Sequence, residues 1–114
     1  MNHKQLEVWK ESMNLAQLSY EITENIPGYL FDQIKKSAVS IPSNIAEGSA
    51  RQYTKEQIRF FNIALASLAE LETQFILAQR LNYLKDNYGY LDLVYKVKKL
   101  ILGTIIFFER KLSK

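Results

Sequence analysis

The sequence has no cysteine, one histidine, one tryptophan, two prolines and four glycines in 114 residues. Each shortage removes a class of explanation. Without cysteine there are no disulfides, no thiolate nucleophile and no sulfur-ligated metal, which fits a reducing compartment. A lone histidine excludes the di-iron carboxylate bundles, which need a Glu-x-x-His pair from each of two helices. That histidine, His3, lies at a terminus expected to fray, and no nucleophile elbow accompanies it. The longest uncharged run near the C-terminus, Leu100 to Phe108, covers nine residues, against the roughly 20 that a membrane-crossing helix needs. Glu7, Lys10 and Glu11 interrupt the first apolar residues, so the N-terminus does not read as a signal peptide. The expectation is a cytoplasmic protein with no catalytic residues, no metal, no cofactor, no membrane contact and no small-molecule substrate.

What is present is apolar and helical. With 47% hydrophobic and 24% charged residues, the composition is that of a folded domain. Residues 1–114 form one domain, long enough to bury roughly two thirds of its unfolded surface. The net charge of +3 is uneven: residues 1–29 carry −2, 30–59 carry +2, 60–85 are neutral and 86–114 carry +3. An anionic partner is therefore expected to prefer the second and fourth segments.

Apolar residues recur at helical spacing in four segments. The first runs from about Lys4 to Asn25, with Leu6, Trp9, Met13, Ala16 and Tyr20 as its main stripe and Val8, Leu15, Leu18 and Ile22 as a second. Ile26-Pro27-Gly28 ends it. The second runs from Leu30 or Phe31 to Gly48, which suits a C-terminal cap. Thr54 and Gln57 form a T-x-x-Q capping box ahead of a third helix, about Lys55 to Tyr83. Its expected stripe is Ile58, Phe61, Leu65, Leu68, Glu72 and Phe75, with Phe60, Ala64, Ser67 and Leu71 outside. Turn residues Asp86, Asn87 and Gly89 precede a fourth helix, about Tyr90 to Lys111, striped by Leu93, Val97, Leu100, Ile101, Thr104 and Phe108. Short connections favour antiparallel neighbours, so the expected fold is an all-α, up-down-up-down four-helix bundle. The helices carry more apolar surface than one small core can bury, and such patches mark interfaces. Self-association is expected.

The second helix contains Ser40-Ile41-Pro42-Ser43-Asn44-Ile45-Ala46-Glu47-Gly48, where the apolar repeat Ile34, Ala38, Ile41, Ile45 passes straight through a proline. A proline inside a helix costs about 3 kcal/mol and removes a backbone hydrogen bond, so this helix is expected to kink and to be held by packing. Asn44 is placed to satisfy the carbonyl that Pro42 frees. Lys36, Ser40, Ser43 and Glu47 line a polar stripe, read either as a solvated face or as a contact or rim within an oligomer. Glu72 within an apolar stripe needs a hydrogen-bonded or charged partner. Lys35, Lys36, Arg51, Lys55 and Arg59 form one basic group, and Lys96, Lys98, Lys99, Arg110, Lys111 and Lys114 another. Either could neutralise phosphates, with Tyr53 and Tyr95 available to stack on unpaired bases, or could serve only to solvate the helices.

Val8-Trp9, Gln33 through Gly48, Arg51, Arg59-Phe60 and Ala69-Glu70-Leu71-Glu72-Thr73-Gln74 together resemble the four-helix bundle proteins encoded in intervening sequences of bacterial 23S ribosomal RNA genes. That family is similar to the accessory variability proteins of diversity-generating retroelements, which are pentameric and associate with nucleic acid and a reverse transcriptase. The resemblance implies a ring-like homopentamer acting as a non-catalytic, RNA-binding or scaffolding accessory. Lys36, Arg51, Lys55 and Arg59 would contact phosphates, and Ser40, Pro42, Asn44, Glu47 and Glu72 would fix the second helix on the third. The alternative is an assembly module directed only at protein. Two departures stand out: a short Pro27 to Asp32 connection, and Lys35-Lys36 where arginine is common. Lysine lacks arginine's planar bidentate contact.

Overall fold

The computed structural model describes residues 2–85 and 89–114. Four helices account for most of it: α1 (Glu7–Thr23), α2 (Gly28–Ala50), α3 (Thr54–Arg80) and α4 (Tyr90–Leu112). No strand occurs among the described residues. Consecutive helices pack on one another and α1 closes against α4, giving a rod of 49 × 21 × 20 Å. By length and composition alone α3 could span a bilayer. It packs between α2 and α4 and contributes Phe61, Ala64, Leu68, Leu71, Phe75 and Ala78 to the core.

The buried face of α1 is not its most apolar one. Val8, Ser12, Leu15, Ser19 and Thr23 are buried, while Met13 and Tyr20 of the expected main stripe are exposed. The reason is local. Ser12 donates to the Trp9 carbonyl and Ser19 to the Leu15 carbonyl, and Thr23 donates to Ser19. A hydroxyl satisfied by its own helix can enter a core without an unpaired donor. The start of the chain is also better tied than expected: His3–Gln5 forms a 3-10 turn capped by Asn2 Oδ1, which accepts from Lys4 N at 3.0 Å. The His3 ring stands edge-on to Trp9, 5.2 Å between centroids.

On α2 the expected stripe is buried from Ile34 through Ile45 to Gly48, and the helix continues through Pro42 to Ala50. Gly48 therefore caps nothing. A Cβ there would lie 2.8 Å from Phe61 Cδ1 and 3.1 Å from Phe60 Cβ, so the missing side chain lets α3 approach α2. The cap position of α3 belongs to Tyr53, and Thr54 makes no capping bond. Thr54 is already helical, whereas a capping side chain needs the extended backbone of the preceding position.

The face α3 turns inward is Phe61, Ala64, Ser67, Leu68, Leu71, Phe75 and Ala78, rotated from the expected stripe so that Glu72 leaves the core. The small side chain of Ser67 fits close to α2, its hydroxyl 2.7 Å from that of Ser40. The helix ends with Asn82 at φ 63°. Asn82 N donates to the Gln79 carbonyl at 3.0 Å and Tyr83 N to Ala78 at 2.9 Å, the paired bonds of a Schellman ending. Gly89, at φ 70°, takes the left-handed position before α4. The expected turn residues Asp86 and Asn87 lie outside the described residues. On α4 the inner face is Tyr90, Val94, Val97, Ile101, Ile105 and Phe108, with Leu93, Leu100 and Thr104 half-buried beside it. Phe61 meets Phe108 edge-on at 5.4 Å, and Phe75 meets Tyr90 at 4.9 Å.

Lys96 of α4 bridges to Glu11 of α1. The hydrogen bond from Lys96, then that from Asn14, holds the Glu11 carboxyl below its ordinary 4.5, and the same contact raises the Lys96 ammonium above its ordinary 10.5. The depressed carboxyl stabilises the fold above 4.5, and that contribution is lost as pH falls through its lower folded value. The ammonium's contribution is complete below 10.5 and disappears only on the alkaline side.

Gly48→Ala is expected to destabilise the protein by about 1–3 kcal/mol through overpacking on the Phe61 ring. Gly103 has open space around its would-be Cβ, so Gly103→Ala is expected to stabilise by up to about 1 kcal/mol through helix propensity. Urea unfolding of both variants checks the opposite signs. Glu11→Gln should be less stable than the parent at neutral pH, with the gap closing in acid below the folded carboxyl value; unfolding midpoints across a pH series test it.

Candidate nucleic-acid interface

The α2–α3 connection gathers three of the four basic residues singled out by sequence. Arg51 sits at the C-cap of α2, its N–H bonded to the Gly48 carbonyl at 3.2 Å. Its guanidinium reaches Glu47 Oε2 at 2.9 Å and Glu56 Oε2 at 3.8 Å. It also lies 4.7 Å from the centroid of Phe60, and the Arg59 guanidinium lies 4.7 Å from the same ring. One phenyl ring thus carries two guanidiniums. Each contact is electrostatically favourable and holds a long side chain in place. Tyr53, 65% exposed, stands one residue ahead of α3.

The charges at this tip are not equivalent. Glu47 and Glu56 compensate Arg51, whereas Lys55 and Arg59 are exposed and in no ion pair among the described residues. Phe60 is the residue that composition and spacing did not assign a role, although Arg59 beside it in sequence was the available signal. Lys36 is elsewhere. It stands fifteen residues before Arg51, about 22 Å along the axis at 1.5 Å per residue.

Lys36 lines a polar cleft of about 150 Å³ between α2 and α3, together with Gln33, Ser37, Ser40, Ser67 and Glu70. Ser40 Oγ and Ser67 Oγ are 2.7 Å apart, and Asn44 Nδ2 donates to Ser40 Oγ at 3.0 Å and to the Ser40 carbonyl at 2.8 Å. The carbonyl that Pro42 leaves without its helical donor is Ala38's, four residues back. Asn44 does not serve it, because a side chain in a helix reaches the carbonyl four residues behind itself. Further along this flank of α3, Gln74 Oε1 is buried without a hydrogen bond.

Of the five residues expected to fix α2 on α3, Ser40 bonds Ser67 across the two helices, whereas Glu47 bonds Arg51 at the end of its own helix and meets α3 only through that residue's contacts with Glu56 and Phe60. Asn44 acts one step removed, by orienting Ser40. Pro42 is buried toward α1, lining a groove with Trp9, Met13, Ala16 and Val39. Glu72, about 140° round α3 from Ser67, is half-buried and makes no hydrogen bond or ion pair among the described residues. The second basic group is partly engaged: Lys96 holds Glu11, Lys99 lies over Tyr95 and Lys111 over Phe107. No cluster of metal-ligating side chains occurs among the described residues.

The family model described as 23S rRNA-intervening sequence protein matches residues 4–102. The chain belongs to that family. A comparison with curated proteins finds no match. In this member of the 23S rRNA-intervening sequence proteins, the matched region takes in both the Phe60 platform and the polar cleft, and all four helices in whole or part.

Ser40→Ala leaves Ser67, only 7% exposed, without its partner, and should cost about 1–3 kcal/mol. The double variant with Ser67→Ala should cost less than the sum of the singles, because neither hydroxyl is then left unpaired. A double-mutant cycle by denaturant unfolding measures the coupling.

Proposed function

We propose that the chain is a non-catalytic, self-associating bundle that serves as an RNA-binding or scaffolding accessory in the cytoplasm. The observation that carries the nucleic-acid part is the Phe60 platform. It holds Arg59, which no carboxylate pairs among the described residues, over its ring, four residues along α3 from the exposed Lys55 and near the exposed Tyr53, a combination that suits phosphate neutralisation with base stacking. Glu47 and Glu56 favour the second reading, a module directed only at protein, because they cancel the charge of Arg51.

Self-association is supported by two apolar faces on opposite sides of the bundle. Trp9, Met13 and Val39 lie along α1 and α2. On α4, Lys96, Leu100 and Phe107 turn toward α1, so Leu91, Leu102 and Ile106 flank α3 on the other side, where Ile76 is also exposed. The contacts Phe61 to Phe108 and Phe75 to Tyr90 fit an up-down-up-down course, and Pro42 provides for a bend in α2. Two different faces joined head to tail close a ring if the rotation allows. Five subunits is the number that the family resemblance suggests, and the polar α2–α3 face is left open to solvent in this arrangement.

Binding of single-stranded RNA measured across a salt series tests the first reading. Affinity should fall steeply with salt through counterion release, and Arg59→Ala with Lys55→Ala should weaken binding and flatten the slope. Absence of binding at low salt would leave the protein-directed module. Light scattering of the full chain is expected to report a multiple of the 13.3 kDa subunit; a stable monomer at micromolar concentration removes the ring.

A further inference from the structure

Ser37 is 5% exposed, lines the cleft between α2 and α3, and makes no hydrogen bond. It differs in this from the other deeply buried hydroxyls. Ser12, Ser19, Thr23 and Ser49 each donate to a carbonyl of their own helix, and Ser67 pairs with Ser40. Its oxygen is not among the fully enclosed side-chain atoms that lack a hydrogen bond; it opens on a space of about 150 Å³, where its O–H is available to a ligand. The Ser40–Ser67 pair leaves a proton over as well. Two hydroxyls share one hydrogen bond between them, so whichever donates, the other keeps its O–H free.

The cleft also holds two opposite charges that do not meet. Lys36 and Glu70 both line it, yet neither is in an ion pair among the described residues. Adjacent side chains of opposite sign with no mutual bridge offer one pole each to a third party. The donors are the ammonium of Lys36, the hydroxyl of Ser37 and the proton left over from the serine pair. The carboxylate of Glu70 is the acceptor for a cation, and the Gln33 amide can give or take.

We propose that this cleft binds a small zwitterionic amino acid of about the size of glycine or serine, its carboxylate held by Lys36 and the cleft hydroxyls and its ammonium by Glu70. A simple anion is disfavoured by Glu70, and a simple cation by Lys36. The site is separate from the Phe60 platform and does not depend on nucleic-acid binding.

Saturation-transfer NMR on the full chain with glycine and with L-serine tests the site, with acetate and methylammonium as single-charge controls at matched ionic strength. Saturable transfer to the zwitterions and none to either control is expected. Lys36→Met and Glu70→Gln should each weaken binding about tenfold, the loss of one charge-assisted hydrogen bond. Both positions are exposed, so circular dichroism should be unchanged. Ser37→Ala should weaken binding about threefold or more. Absence of saturable transfer, an acetate response equal to that of glycine, or unaltered binding by the Lys36 and Glu70 variants would each overturn the proposal.

Discussion

The seam between α2 and α3 is the constraint on which the rest of the molecule depends. At one end Gly48 admits the Phe61 ring, and at the other Ser40 meets Ser67. A close approach and a directional hydrogen bond, eight residues apart on α2 and six on α3, fix both the spacing and the register of these two helices. Phe61 then carries the seam onward, since the same ring lies edge-on to Phe108 of α4. Every part of the candidate interface hangs from this arrangement. Phe60 is held beside Gly48 by its own backbone, and the two guanidiniums are arrayed on Phe60 in turn.

The seam also separates two chemical roles along one face. Near the α2–α3 connection the side chains are long, charged and stacked on an aromatic ring, a geometry for extended polyanions. Nearer the middle of α2 they are short hydroxyls flanked by single charges of opposite sign, a geometry for something small. The apolar grooves lie on other faces of the bundle. The proposed assembly and the proposed recognition would therefore use different surfaces of the same subunit without competing.

Four helices, their approximate limits and the apolar part of the inner face of α2 were legible in the sequence, because the apolar spacing there has no rival; Ser37, Pro42 and Ser49, also buried on α2, were not. On α1, and on α3 in part, the inner face departs from the apolar stripe because of small hydroxyl side chains. Hydropathy ranks serine and threonine as polar, but Ser12, Ser19 and Thr23 satisfy themselves within α1, and Ser67 is satisfied by α2. Small and self-satisfied side chains pack closer than leucine does, so the core turned toward them and left Met13 and Tyr20 outside. The basic residues of the candidate site were legible as residue types. Which of them would be neutralised was not, since Glu56 reaches Arg51 across a turn, whereas Glu47 lies at a helical spacing of four. The capping roles expected of Gly48 and Thr54 failed because a glycine and a threonine near a helix end carry the same letters whether they cap it or lie within it.

The hydroxyls of α1 have a consequence for how the protein tolerates change. Their bonds run back along their own helix, so within the core α1 brings bulk and shape, and its one ion pair to a neighbour, Glu11 with Lys96, lies outside that buried face. The opposite holds at the middle of α2 and α3, where Ser40 and Ser67 answer to each other across the gap. The bundle is thus half lock and half cushion: drift in the chain's first helix can be absorbed by sliding, while drift along the central seam must be matched on both sides at once.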